Sequence, residues 1–173
     1  MTSVVDDAIA LLERTPLGLS DLVDGLPVSW LTDGNQAEWS VHSVVGHLIS
    51  GEVDDWIPRL RQIIDGLGDR PFAPFDREAH LLRDANEPLA RLLATFSAMR
   101  RQNVEFLQSC VLDEDALART GRHPTLGTVT TAQLIAASAT HDLDHLAQIV
   151  TRLARTQEDA VGPWKEYLGI LEQ

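Results

Sequence analysis

Long stretches of helical hydrophobic spacing restrict the fold of this chain more than any other feature. Three of them, at about Ser40–Leu67, Glu87–Val111 and Thr130–Ala154, repeat apolar side chains every three or four residues. Glycine and proline fall mostly in the connections between these stretches. The alternation of half-buried strands is not sustained anywhere. We therefore predict an all-α fold with a single domain over residues 1–173.

A fourth helical region covers Ser3–Val23 and is interrupted near Thr15-Pro16, where Thr15 can cap a helix and Pro16 suits its first turn. The segment Pro27–Glu38 is predicted to be a loop, with a turn at Asp33-Gly34-Asn35. Three long helices and one broken helix favour a four-helix bundle with short extra helices.

Local signals refine these boundaries. Pro58 lies within the second helical stretch and is expected to kink or split it, because proline lacks an N–H donor. Thr130 and Gln133 match a capping box at the start of the last long helix. Between the long helices, Asp113–Thr128 is predicted to be a short helical turn followed by a loop, and Pro163–Leu171 a short C-terminal helix.

Charge and cysteine content exclude several classes of protein. The 173 residues carry a net charge of −12, from 26 acidic and 14 basic side chains. Such a surface repels nucleic acid and anionic membranes, so we expect neither as a partner. Cys110 is the single cysteine, which rules out an internal disulfide and fits a reducing compartment. Without a signal-like start or a long apolar segment, a cytoplasmic location is expected.

Two histidines have the spacing of a metal-binding pair. His141 and His145 differ by about 40° around a helix, so both rings project from one face, one turn apart. Two imidazoles at this spacing can reach one ion, with a third ligand from a neighbouring helix. His47 borders the apolar arc of its own helix in the same way. A purely structural role for these histidines stays open at this point.

Two segments carry a family resemblance. The segment Trp39–Leu48 (WSVHSVVGHL) and the segment His141–Ile149 (HDLDHLAQI) resemble the two signatures of the DinB/YfiT-like family. The resemblance implies an up-down-down-up four-helix bundle that often forms homodimers. It also implies a site for nickel or zinc, carried over onto His47, His141 and His145. Some members are S-transferases or isomerases that use a low-molecular-weight thiol such as bacillithiol or mycothiol.

Acidic residues near the histidines are candidates for supporting roles. Asp142 and Asp144 could each accept a hydrogen bond from a ligand ring, or be solvated helix charges. Glu52 and Asp54 are the candidate catalytic acids or bases. Each has a plainer alternative: a structural ion pair of Glu52 with Arg59, and a solvated surface charge for Asp54.

Three functional hypotheses follow, and whether the chain is an enzyme stays open among them. The first is a divalent-metal-dependent enzyme that acts on a small molecule, as a thiol transferase, an isomerase or a hydrolase. The second is a non-catalytic bundle, associated with stress, that binds a metal or a small ligand. The third is a plain dimeric bundle with structural histidines. Three imidazoles suit nickel and zinc equally.

Overall fold

The computed structural model describes residues 3–33 and 38–172. The α-helices are α1 (Val4–Leu12), α2 (Thr15–Val23), α3 (Val28–Thr32), α4 (Val41–Ser50), α5 (Trp56–Ile64), α6 (Ala79–Arg83), α7 (Leu89–Ser109), α8 (Glu114–Ala118) and α9 (Thr131–Arg155). Further elements are a π-helical turn (Gly51–Asp55), strands β1 (Thr120–His123) and β2 (Gly127–Thr130), and 3₁₀ turns at Gly162–Tyr167 and Gly169–Leu171. Gly34 and Asn35 of the turn predicted at Asp33-Gly34-Asn35 lie outside the described residues.

Four helical columns form the predicted bundle. They are α1, the pair α4 and α5 joined by the π-helical turn, α7, and α9. The first column packs against α7 and α9, α4 packs against both of these, and α5 packs against α9. Within the described part of the chain, no helix is both long enough and apolar enough to cross a membrane.

The predicted helix starts are largely confirmed. Thr130 and Gln133 form the capping box, and Ser40 caps α4 by accepting from the N–H of Ser43. The break between α1 and α2 lies where it was predicted, with Pro16 in the first turn of α2. Thr15 does not cap this helix, because it is already helical and its hydroxyl donates to a carbonyl one turn earlier.

The second helical stretch is split, as Pro58 suggested, but the split precedes the proline. The N–H of Trp56 donates to the carbonyl of Gly51, five residues back, which defines a π-helical turn. Such a turn holds one residue more than an α-helical turn. The extra residue rotates everything beyond it by roughly 100° relative to an uninterrupted helix. Side chains of α5 therefore face other partners than a single helical wheel predicts.

Two segments predicted to be loops contain regular structure. Val28–Thr32 forms α3, which buries Leu31 against the core. The region after α8 forms an antiparallel hairpin, with Thr120 opposite Thr130 and His123 opposite Gly127. Both predictions were wrong because elements of four or five residues are too short to show a periodicity. The hairpin depends on a tertiary contact: a side chain on Gly121 would collide with the ring of Phe72.

The apolar core has two halves. One half lies around α4, the start of α7 and the end of α9, and it contains Val45, Phe96 and Ile149. The other lies around α1, α5, the end of α7 and the start of α9. Buried polar residues lie between these halves along the helices, and we call them the polar layer: Glu52, Arg100, Asp142 and His145. The candidate site is part of this layer.

Candidate metal centre

The three predicted histidines come together between α4 and α9. His47 lies in the last turn of α4, and His141 and His145 lie one turn apart on α9. The Nε2 atom of His141 is 3.2 Å from Nε2 of His47 and 3.0 Å from Nε2 of His145. Among the described residues, these three form a group whose ligand atoms all lie within 4.8 Å of one another. His47 is nearly a hundred residues away from the other two histidines in sequence.

Two of these separations fit a shared divalent ion. An ion bound tetrahedrally at 2.0–2.1 Å from each nitrogen places the nitrogens about 3.3 Å apart. The two observed Nε2 separations, 3.2 and 3.0 Å, lie close to that value. Three imidazoles would leave at least one coordination position open, which is typical of catalytic rather than structural zinc sites.

The hydrogen bonds on the far side of two rings select the required tautomer. Nδ1 of His145 is 2.8 Å from Oε1 of Gln148, and Nδ1 of His47 is 3.3 Å from the carbonyl oxygen of Arg77. Both oxygens can only accept, so each Nδ1 carries the proton and donates. Each Nε2 is then left with a lone pair that points towards the shared centre. Partners of this kind fix the ring and raise its basicity in metal sites.

The electrostatics of the cluster keep the rings of His47 and His141 neutral. Burial lowers the pKa of His47 to about 3, with further contributions from the neighbouring His145 and His141. Burial also lowers the pKa of His141 to about 4, helped by His145, Arg100 and Arg77. A neutral imidazole is the form that binds a metal, so both rings are ready for an ion at neutral pH.

Aromatic rings enclose the histidines. The ring centroid of Trp39 lies 4.8 Å from that of His47 and 6.4 Å from that of His145. Trp56 packs edge-on against His141 at 5.2 Å, and Phe75 lies 5.6 Å from His47. His47 is 1% exposed and His145 5% exposed. The cluster therefore lies in a largely apolar surrounding, where electrostatic interactions are stronger than in water.

Asp142 and Glu52 both form salt bridges with Arg100, a residue that was not predicted to belong to the site. Arg100 donates to both carboxylate oxygens of Asp142, at 2.5 and 3.0 Å, and to Glu52 at 2.8 Å. Asn103 donates to the other oxygen of Glu52 at 2.9 Å. Both acids are buried. Asp142 thus accepts from Arg100, and within the described chain no hydrogen bond joins it to a histidine ring.

The predicted pairing of Glu52 with Arg59 was wrong. Arg59 instead pairs with Asp55 at 2.5 Å, within the same helical column. The physical reason is the π-helical turn, whose extra residue rotates Arg59 away from the face that carries Glu52. One signal could have identified Arg100: it lies four residues after Phe96 and four before Val104, in the buried stripe of α7.

The remaining two acids lie at the surface. Asp54 is exposed on the π-helical turn, and no hydrogen bond or ion pair between described residues joins it to the histidines. Asp144 is exposed too, but it lines a cavity of about 520 Å³ that also reaches His145. The other residues that line this cavity are Glu38, Trp39, Arg77, Ala147, Gln148, Thr151, Arg152 and Arg155. This cavity gives the histidine cluster a route to solvent.

The sequence did not lead us to predict Gln148 and Arg77 as hydrogen-bond partners of the histidines. Gln148 follows His145 by three residues on one helix, a spacing at which side chains meet, so this contact was predictable in principle. Arg77 contributes a backbone carbonyl from a segment between helices. No sequence pattern indicates such a contact, because every residue carries a carbonyl.

Comparisons with known proteins agree with this fold and cluster. The family model of the DinB superfamily matches residues 11–149. A protein of Oceanobacillus iheyensis named "Putative metal-dependent hydrolase OB0782" is 28% identical over 153 residues, which cover 87% of this chain and 83% of that protein.

A solved structure shows the same fold. YfiT from Bacillus subtilis, described as "a probable metal-dependent hydrolase with an unusual four-helix bundle topology", superposes with a TM-score of 0.75 at 23% identity. The match covers 88% of this chain and 87% of the other. At this identity the likeness concerns the fold alone. Because the family model spans most of the sequence and includes all three histidines, the chain belongs to the DinB superfamily.

Proposed function

We propose that this chain is a divalent-metal-dependent hydrolase of a small molecule, with His47, His141 and His145 as the ligands of the ion. One observation carries the proposal: three Nε2 atoms converge, and two of the rings are held in the tautomer that leaves Nε2 free to bind. The name of the similar protein from Oceanobacillus supports the same reaction class.

The residues around the cluster would orient the histidine rings, limit the access of water and accept a proton. A divalent ion held by three imidazoles would act as a Lewis acid and lower the pKa of water. Gln148 and the carbonyl of Arg77 hold the rings in place, while Trp39 and Trp56 limit access of bulk water. Asp144 lines the adjoining cavity and is our candidate to accept a proton.

A thiol-dependent transferase is the second candidate. The cavity of about 520 Å³ beside His145 lies within the range of small-molecule sites, which would suit a low-molecular-weight thiol. A thiolate would bind at the same open position of the ion. We also propose nickel or zinc as the ion, a bacillithiol-like thiol as the cosubstrate and a homodimer as the assembly. Light scattering on the purified protein would test the homodimer.

Metal content tests the proposal most directly. We expect about one divalent ion per chain in untagged wild-type protein, by elemental analysis after loading with nickel or zinc. His145→Ala should lose it. His42→Gln is the matched control, because His42 lies on α4 but its Nε2 binds the carbonyl of Glu87 instead of the cluster. Wild-type protein that takes up neither metal would refute the metal site.

Turnover then separates the reaction classes. We would assay the metal-loaded protein with a panel of small esters, amides and phosphoesters, with and without added thiol. Hydrolysis without thiol supports the hydrolase, and strict dependence on thiol supports the transferase. Full metal occupancy without turnover under either condition would favour a binding protein.

A further inference from the structure

The cavity beside His145 contains an arginine that no described acid engages. Three arginines line this cavity. Arg152 donates to Glu38 and to the carbonyl of Asp33, and Arg155 pairs with Glu38. Arg77 is exposed, and within the described residues its guanidinium has no hydrogen bond or ion pair. Its charge is therefore available to a ligand.

Arg77 is anchored next to the metal-binding cluster. Its backbone carbonyl accepts from Nδ1 of His47 at 3.3 Å, which ties this residue to one of the three ligand rings. Its side chain lines the same cavity as His145, a second of these rings. The side chain thus acts within electrostatic range of the place where a substrate would meet the ion.

The cavity is locally cationic on a strongly acidic protein. Its lining contains three arginines and two carboxylates, Glu38 and Asp144, so it carries a net charge of +1. The whole chain carries −12. A bound divalent ion would add two further positive charges. This contrast favours an anion at this place, while the surrounding surface repels one.

We propose that the substrate of this site carries a carboxylate or phosphate group, and that Arg77 binds this group in the cavity beside His145. The inference rests on the proposed function and adds its substrate class. Guanidinium pairs with both of these anions through two parallel hydrogen bonds, which orients as well as attracts them. The ring of Trp39, which also lines this cavity, offers an apolar surface for the organic part of the substrate.

The test measures anion binding instead of turnover. We would load the protein with cobalt(II), whose visible spectrum reports on ligands at the ion, and titrate inorganic phosphate and acetate at constant ionic strength. Wild-type protein should bind at least one of the two anions, and the stronger of them identifies the group. Arg77→Ala should weaken that binding at least about tenfold, because a charge-assisted pair is lost.

Two further variants make the result specific. Arg77→Lys keeps the charge and should recover part of the affinity. Arg101→Ala removes an exposed arginine of α7 that does not line this cavity and should leave anion binding unchanged. Arg77→Ala should still bind cobalt, at least as tightly as the wild-type protein, because the carbonyl that accepts from His47 belongs to the backbone and the substitution removes a positive charge near the ion.

The outcomes separate this inference from the function on which it rests. Wild-type protein that fails to bind cobalt refutes the metal site itself. Protein that binds cobalt but neither anion overturns the anionic substrate. Anion binding that Arg77→Ala weakens less than tenfold overturns the role of Arg77, because the anion then binds to the ion alone.

Discussion

At the scale of single residues, the hydrogen bond from His145 to Gln148 decides where Nε2 of His145 points. Gln148→Leu removes the acceptor for Nδ1–H and frees the ring to turn. We expect it to weaken metal affinity about 10- to 100-fold, the usual effect of losing such a partner. Competition with a chromogenic chelator measures the affinity.

Gln148→Glu is the control, because its carboxylate oxygen still accepts from the ring. It should bind metal at least as tightly as the wild-type protein. Equal affinities of the leucine variant and the wild-type protein would show that packing alone orients His145.

Gly46, which directly precedes His47, permits a close approach between α4 and α6. A Cβ atom there would lie 2.8 Å from Oδ2 of Asp84 and 3.2 Å from Cδ2 of His80. We expect Gly46→Ala to lower the free energy of unfolding by about 1–3 kcal/mol, because both neighbours are buried. Urea titration of the metal-free protein measures this.

A second glycine is the matched control. Gly18 lies within α2, and a Cβ atom there meets no other atom within 4 Å. Gly18→Ala should stabilise the protein by about 0.5–1 kcal/mol, since alanine loses less backbone entropy in a helix. If both variants change stability equally, close packing at Gly46 is not the cause.

At the scale of elements, Arg100 connects three parts of the bundle. From α7 it bonds Glu52 on the π-helical turn, Asp142 on α9 and the carbonyl of Leu12 at the end of α1. Arg100→Met leaves two buried carboxylates without their cation. We expect a loss of about 3–5 kcal/mol in unfolding free energy, measured by urea titration.

Arg91→Met tests whether burial causes that loss. Arg91 lies on the same helix and pairs with Glu87 at 3.2 Å, but the pair is largely exposed. Its loss should cost less than about 1 kcal/mol. Comparable losses in the two variants would contradict the view that the polar layer connects the helices.

At the scale of the whole molecule, the buried histidines couple stability to pH. The pKa values of His47 and His141 lie at about 3 and about 4 in the folded chain, below the ordinary value of 6.5 that applies after unfolding. Between pH 6.5 and pH 4, the unfolded chain therefore binds more protons than the folded chain. Stability rises with pH across such a window and is lost as the pH falls.

We therefore expect the free energy of unfolding of the metal-free protein to fall by up to about 2 kcal/mol for each of these two histidines as the pH is lowered from 6.5 to 5. Urea titrations at several pH values, with a chelator present, measure this dependence. In His47→Gln, the number of protons taken up on unfolding should fall by about one, so stability should depend less steeply on pH. A wild-type stability that stays constant over this range would contradict the burial of neutral rings.

Helical periodicity, caps and the spacing of His141 and His145 could be read from the sequence. Each depends on residues within a few turns of one another, so local rules describe it. The capping box at Thr130 and the position of α7 are examples. The family resemblance added His47 to the pair, which spacing alone does not do.

Tertiary structure decided the features that depend on residues far apart in the chain. Three contacts join separate elements. His47 on α4 meets the histidine pair of α9, the carbonyl of Arg77 accepts from His47, and Arg100 bonds to residues of three other elements. The π-helical turn changed the partner of Arg59, and a contact with Phe72 accompanies the hairpin at Gly121. Periodicity describes one element at a time, whereas these contacts arise only when the elements pack together.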